Sequence, residues 1–190
     1  MGLTRDDWTL AALYAIAGGG IAAVAVEPLA KQLGATKGSF YWHFATRDEL
    51  VEAALDMWER LGTTDVIEEL NDIADPTRRL ERLFERSFLD EFGGAADVNL
   101  LAEAGDPRVG KVIERVTARR VEFLAATFRE LAFPPPEARR RALLCYGAYV
   151  GHFQLRRAAP EIAPRGRALR SYVAAVLDLL VTGGETPGSL

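Results

Sequence analysis

The sequence predicts an all-α protein: a small N-terminal helix-turn-helix domain followed by a larger helical domain. Three observations predict it. Apolar residues recur at helical spacing through most of the chain, no long segment alternates polar with apolar residues, and no Asn-Gly or Asp-Gly hairpin turn occurs. With 49% apolar residues among 190, the chain can bury a sizeable core. Prolines and glycines divide it into about nine helices.

Thr4 caps the first helix, whose apolar face carries Trp8, Ala12, Ala15 and Ile16, and Gly18 to Gly20 end it. The uncharged stretch from Trp8 to Val26 approaches the roughly 20 residues a membrane span needs. The glycines break it in the middle, so no membrane partner is expected. Val26, Leu29, Ala30 and Leu33 mark a second helix, with Pro28 in its first turn and Gly34 at its end. A third runs from about Lys37 to Phe44, with Phe40 and Phe44 on one face. Thr46-Arg47-Asp48-Glu49 is a capping box that opens a fourth helix, whose inward face is Leu50, Ala54, Trp58 and Leu61. This helix, from Thr46 to about Leu61, joins a helix-turn-helix domain over 1–47 to a second domain over 48–190. Asp75-Pro76 and Asp106-Pro107 each read as a cap followed by proline at the first helical position. A shorter helix is expected between Asp97 and Ala104. Pro134 to Pro136 separate a helix ending near Leu131 from one beginning near Glu137. Pro164 opens the last helix, and Gly183-Gly184 closes it.

The chemistry concentrates between Leu29 and Phe44. Two short helices meet at Gly34-Ala35-Thr36, the spacing of a helix-turn-helix. The second opens on Thr36, Lys37, Gly38 and Ser39, which are small or cationic and let the helix end approach a major groove. Tyr41, Trp42 and His43 face away from the Phe40/Phe44 side, and Tyr41 and His43 suit phosphate contact. Lys31, Lys37, Arg47 and Arg5 supply local cations. They matter more than the net charge of -4, because phosphates respond to charge within a Debye length of about 8–10 Å.

The same residues resemble the DNA-binding domain of the tetracycline-repressor (TetR) family. Leu29-Ala30, Gly34, Thr36, Phe40-Tyr41-Trp42-His43-Phe44 and Thr46-Arg47-Asp48-Glu49-Leu50 follow that family's pattern without a break. The resemblance covers about the first third of the chain. It implies that Thr36, Lys37 and Ser39 face base edges or nearby phosphates. It implies phosphate contacts for Tyr41, His43 and Arg47, with Gly38 and Trp42 in the same docking segment. Two positions depart from the pattern: Ala25 and Glu27 stand where the family has a hydroxyl cap and then a basic residue. Glu27 repels phosphate unless it turns away or meets a base amine. The function implied is a sequence-specific transcriptional regulator, a repressor released by a small-molecule inducer. The alternative is a ligand-binding or interaction protein of the same fold with impaired DNA binding.

Family analogy places a ligand pocket in the second domain. Its candidate lining is Phe88, Phe92, Phe123, Tyr149 and His152, with Trp58 at the DNA-proximal end; Phe84, Phe88 and Phe92 are read as one helix face. A dimer is expected because helix-turn-helix proteins read two half-sites, about 34–36 Å or a multiple apart. Leu169, Tyr172, Val173, Val176, Leu177 and Leu180 form an apolar stripe on the last helix, and Tyr146 and Phe153 lie on the one before. Either these stripes build the dimer or they are buried within the subunit. The expected partners are therefore a palindromic double-stranded operator, a small-molecule effector and a second copy of the chain. Cys145 is the sole cysteine, so no intramolecular disulfide forms, and it reads as a buried small hydrophobe. Asp6 and Asp7 interrupt any run from a basic to an apolar region, so no secretory signal and a cytoplasmic location are expected. With two histidines, one cysteine and no metal, nucleophile or nucleotide motif, neither catalysis nor a cofactor or metal is expected.

Overall fold

Local capping begins the fold. The Asp7 N–H donates to the Thr4 hydroxyl while the Thr4 N–H donates to the Asp7 carboxylate, at 3.2 and 2.7 Å, and this reciprocal box starts α1 (Arg5–Gly19). The computed structural model describes residues 2–182. Gly18 and Gly19 remain helical. Gly20 alone breaks α1, at φ +72°, and a 3₁₀ turn over Ile21–Ala23 leads to α2 (Val26–Gln32). Ala25 stands at the α2 cap and offers no side-chain bond. Gly34, at φ +64°, closes α2 while Ala35 N–H reaches back to the Ala30 carbonyl at 2.8 Å.

The remaining helices are α3 (Lys37–Phe40), α4 (Arg47–Glu59), α5 (Asp65–Asn71), α6 (Pro76–Leu89), α7 (Glu91–Ala102), α8 (Pro107–Glu130), α9 (Pro135–Ala158) and α10 (Gly166–Val181). Among the described residues there is no strand, so the all-α expectation holds. No helix of the described residues is long and apolar enough to cross a membrane. The expected end of the last helix at Gly183-Gly184 lies outside the described residues.

Three sequence expectations shift. The third helix is α-helical only to Phe40, and residues 41–43 continue as a tighter turn with i→i+3 bonds. A wide π-helical turn over Arg60–Thr64 changes the register after α4, so Leu61 faces solvent and Thr63 takes the buried position. The helix expected to start at Asp97 starts at Glu91. Phe92 therefore stands on α7, not on one face with Phe84 and Phe88 on α6.

The chain divides into two compact units, Met1–Asp65 with Glu91–Val116 and Val66–Asp90 with Thr117–Leu190. In the first unit α1 packs on both α4 and α7 around Trp8, Leu13, Ile16, Phe40, Phe44 and Leu50. The Trp58 indole N–H donates to the buried Asp97 carboxylate at 2.7 Å. This unit thus takes in α7 and the start of α8 as well as residues 1–47. The second unit buries Leu80, Phe84, Phe88, Leu124, Phe128, Cys145 and Leu169. Burial pushes the Cys145 thiol up to about 12, in keeping with an inert core cysteine. In the run Arg139-Arg140-Arg141, the last two pair with Glu137 one turn earlier; Arg140 is exposed, whereas Arg141 is largely buried over the Phe133 ring and donates to the Leu180 carbonyl.

Candidate nucleic-acid interface

The interface is built from the core outward. Phe40 is wholly buried between the rings of Trp8, edge-on at 5.5 Å, and Phe44, stacked at 5.7 Å. That anchor fixes α3 and forces its neighbours outward. Tyr41 is 56% exposed and Trp42 88%. The Thr36 hydroxyl accepts from the Ser39 N–H at 3.2 Å and caps the helix. Lys37 and Gly38 lie exposed beside it, and Ser39 and His43 are half-buried. The Arg5 guanidinium donates to the His43 carbonyl and lies 4.0 Å from the centre of the Phe44 ring, so the start of α1 clasps the end of this turn.

Two charges are already engaged. Lys37 Nζ lies 2.8 Å from Glu27 Oε1, across the turn from α2 to α3. The hydrogen bond and charge of each hold the Glu27 carboxyl below its usual range and the Lys37 ammonium above its own. Glu27 thus turns toward Lys37. Arg47 points back into its own unit, donating to the Val24 carbonyl at 2.6 Å and to the Ile21 carbonyl. The structure therefore brings Thr36, Lys37, Gly38, Ser39, Tyr41, Trp42 and His43 onto one segment, and sets Arg47 apart as a clasp on the loop that leads into α2.

Two residues that sequence reasoning missed hold the same loop. The Glu103 carboxylate accepts the Ile21 N–H at 2.9 and 3.2 Å. The Asn99 amide donates to the Ile16 and Ala17 carbonyls in the last turn of α1, at 3.0 and 2.9 Å, and so ties down the end of the helix from which the loop departs. Both lie on or just after α7, more than eighty positions along the chain. No local pattern announces them.

Of the expected pocket residues, Phe88, Tyr149 and His152 meet in the second unit, with Phe153 and Tyr172 beside them. Trp58 and Phe92 belong to the first unit. There Trp58 binds Asp97, and the Phe92 ring lies 4.5 Å from that of Tyr14. Phe123 is half-buried on α8. His152 is 1% exposed, and neither ring nitrogen has a hydrogen-bond partner among the described residues. Burial, helped by the Arg156 charge, depresses its pKa and keeps it neutral. Of the residues expected at a dimer contact, Phe153, Leu169 and Leu180 are buried, and Tyr146, Tyr172, Val173, Val176 and Leu177 pack on the second core while staying half-exposed.

Residues 10–54 match the family model described as bacterial regulatory proteins, tetR family. No curated protein sequence matches the chain significantly. Among solved structures, one of a TetR-family transcriptional regulator from Rhodococcus sp. has a TM-score of 0.69 at 24% identity, over 94% of this chain and 98% of that one. A transcriptional regulator from Saccharomonospora viridis in complex with choline gives 0.74 at 20%, over 94% and 96%. FadR from Bacillus subtilis in complex with stearoyl-CoA gives 0.73 at 16%, over 95% and 99%. These likenesses show a shared fold along the whole chain. The family match falls on the helix-turn-helix itself, so residues 10–54 are similar to the DNA-binding segment of the tetR family of bacterial regulatory proteins.

Proposed function

We propose that the chain is a sequence-specific, DNA-binding transcriptional repressor that acts as a cytoplasmic homodimer and releases its operator when a small molecule binds the second unit. The observation that carries this reading is the pairing of a pinned helix with solvent-held aromatics. Phe40 and Phe44 are locked in the core while Tyr41 and Trp42 stand exposed beside Lys37. A soluble surface has no other evident use for such a set. In this reading Thr36 to Ser39 enter the major groove and Tyr41 and His43 meet the flanking phosphates. Arg47 serves by fixing the loop from Ile21 to Val24, which positions α2.

Selection of bound sequences from a random duplex pool tests the reading, with a palindromic consensus as the expected result. On that duplex, Lys37→Ala and Tyr41→Ala should each weaken binding about tenfold, roughly 1.4 kcal/mol, with helical content unchanged. Loss of Lys37 should also relax preference at one base position. Unchanged affinity in both variants would exclude this docking. No enrichment from a folded dimer would favour the alternative, a ligand-binding protein of this fold with impaired DNA recognition. The tied-up Lys37 and the uncapped Ala25 are the features that speak for it.

For the effector we infer a site around Phe88, Tyr149 and His152, supported by the unpartnered imidazole and by the choline and stearoyl-CoA held by two proteins of the same fold. A buried polar group without partners costs about 1–3 kcal/mol. His152→Leu should therefore raise stability by that order and abolish the effector response. It should also flatten the pH dependence. The unfolded imidazole titrates near 6.5 and the folded one lower. Below about pH 6.5 the unfolded chain binds more protons, so stability is full above that pH and declines as pH falls through the window. Denaturant unfolding at pH 7.5 and 5.5, in native protein and variant, measures both effects. A variant that is less stable with the slope intact would count against the site.

A further inference from the structure

The ion pair between Glu27 and Lys37 bears on how the DNA-contacting face discriminates. Lys37 is the cation of the exposed segment at the start of α3, and one of its three donors is spent on Glu27 at 2.8 Å. The Lys37 side chain is 54% exposed and that of Glu27 72%, so both charges would face an incoming duplex. A phosphate reaching for Lys37 meets the Glu27 carboxylate beside it, and the two anions repel. A guanine edge is different: O6 and N7 carry no net charge, so they can take the two remaining N–H groups at a smaller electrostatic penalty than a phosphate. An ammonium held by a carboxylate is therefore poor at gripping backbone and still able to read a base.

We propose that Glu27 is a positioning residue that sets specificity, holding Lys37 away from phosphate and presenting it to a guanine edge in the major groove. The role rests on the docking of Lys37 to His43 on DNA. It turns a departure from the family pattern into a device: non-specific affinity, which comes almost wholly from phosphate contacts, is held down, while the sequence-specific share is kept.

The test uses the full-length protein, the duplex enriched from the random pool, and a scrambled duplex of the same length and composition, titrated across a salt series. Glu27→Gln keeps size and polarity at an exposed position and removes the charge. It should tighten binding to the scrambled duplex by about two- to fivefold, the range an exposed ion pair supplies. It should steepen the salt slope on that duplex by about one unit per half-site, and lower the ratio of selected to scrambled affinity. On the scrambled duplex, Lys37→Ala should cost little in the native background and more in the Glu27→Gln background. Equal gains on both duplexes, or a Lys37→Ala cost that is the same in both backgrounds, would overturn the role of Glu27 while leaving the docking in place. No salt-sensitive binding of any duplex by the native protein would overturn the docking itself.

Discussion

Replacing Phe40 by alanine is expected to destabilise the first unit by about 3–5 kcal/mol, the range for removing a fully buried aromatic ring. The ring has no exposed surface and contacts Trp8, Tyr41 and Phe44 at centroid distances of 5.2 to 5.7 Å. It is also the one buried residue of α3, a helix of four residues that cannot hold itself together by its own hydrogen bonds. Removing it takes away the anchor that keeps Tyr41 and Trp42 outward, so DNA binding should be lost together with stability. All three tryptophans of the chain, Trp8, Trp42 and Trp58, lie in this unit, so tryptophan fluorescence reports its unfolding selectively. The Phe40→Ala transition should move to much lower denaturant, while Phe40→Leu, which leaves a smaller void, should lose less than half as much. A Phe40→Ala loss below about 1 kcal/mol would mean that the site collapses freely and that α3 is held by something else.

Much of the first unit was legible because its signals are local. Thr4, Thr36 and Thr46 each cap a helix through an N–H three residues on, and Gly34 adopts the positive φ that the turn demands. Caps and turns of this kind are decided within four residues, so residue type and spacing disclose them. The misses are tertiary. Nothing beside Arg47 in sequence says that the carbonyls of Ile21 and Val24 will claim it. Nothing near Gly20 says that Glu103 will approach so closely that a Cβ there would sit 2.3 Å from its carboxylate. Phe92 shows the limit of periodicity. Its spacing from Phe84 and Phe88 fits a continuous helix, yet α6 ends at Leu89 with Asp90 outside helical geometry, and the ring turns to Tyr14. Apolar periodicity tells which face of a helix wants cover, not which partner supplies it.

That limit bears most on the proposed dimer, because the apolar stripe of α10 packs partly on its own core and a second exposed apolar surface lies beside it. Five of the eleven large hydrophobic side chains exposed among the described residues, Leu143, Leu144, Leu155, Ile162 and Leu179, lie between the middle of α9 and the end of α10. On α9, Leu144, Gly147, Gly151 and Leu155 share one face, and a Cβ at either glycine would meet only open space, so a second helix can approach closely there. If this face forms a two-fold contact, each substitution enters it twice. Leu144→Glu should bury two unpaired carboxylates at about 2 kcal/mol or more each, weakening dimerisation roughly a thousandfold. The product should be a folded monomer by sedimentation, with helical content intact and affinity for a palindromic duplex much reduced. Leu169→Glu, directed into the core of the second unit, should instead unfold that unit. Leu89→Glu, at the exposed end of α6, should leave both fold and dimer unchanged. A Leu144→Glu protein that stays dimeric would exclude this face and return the search to the half-buried stripe of α10, whose opening would then have to accompany assembly.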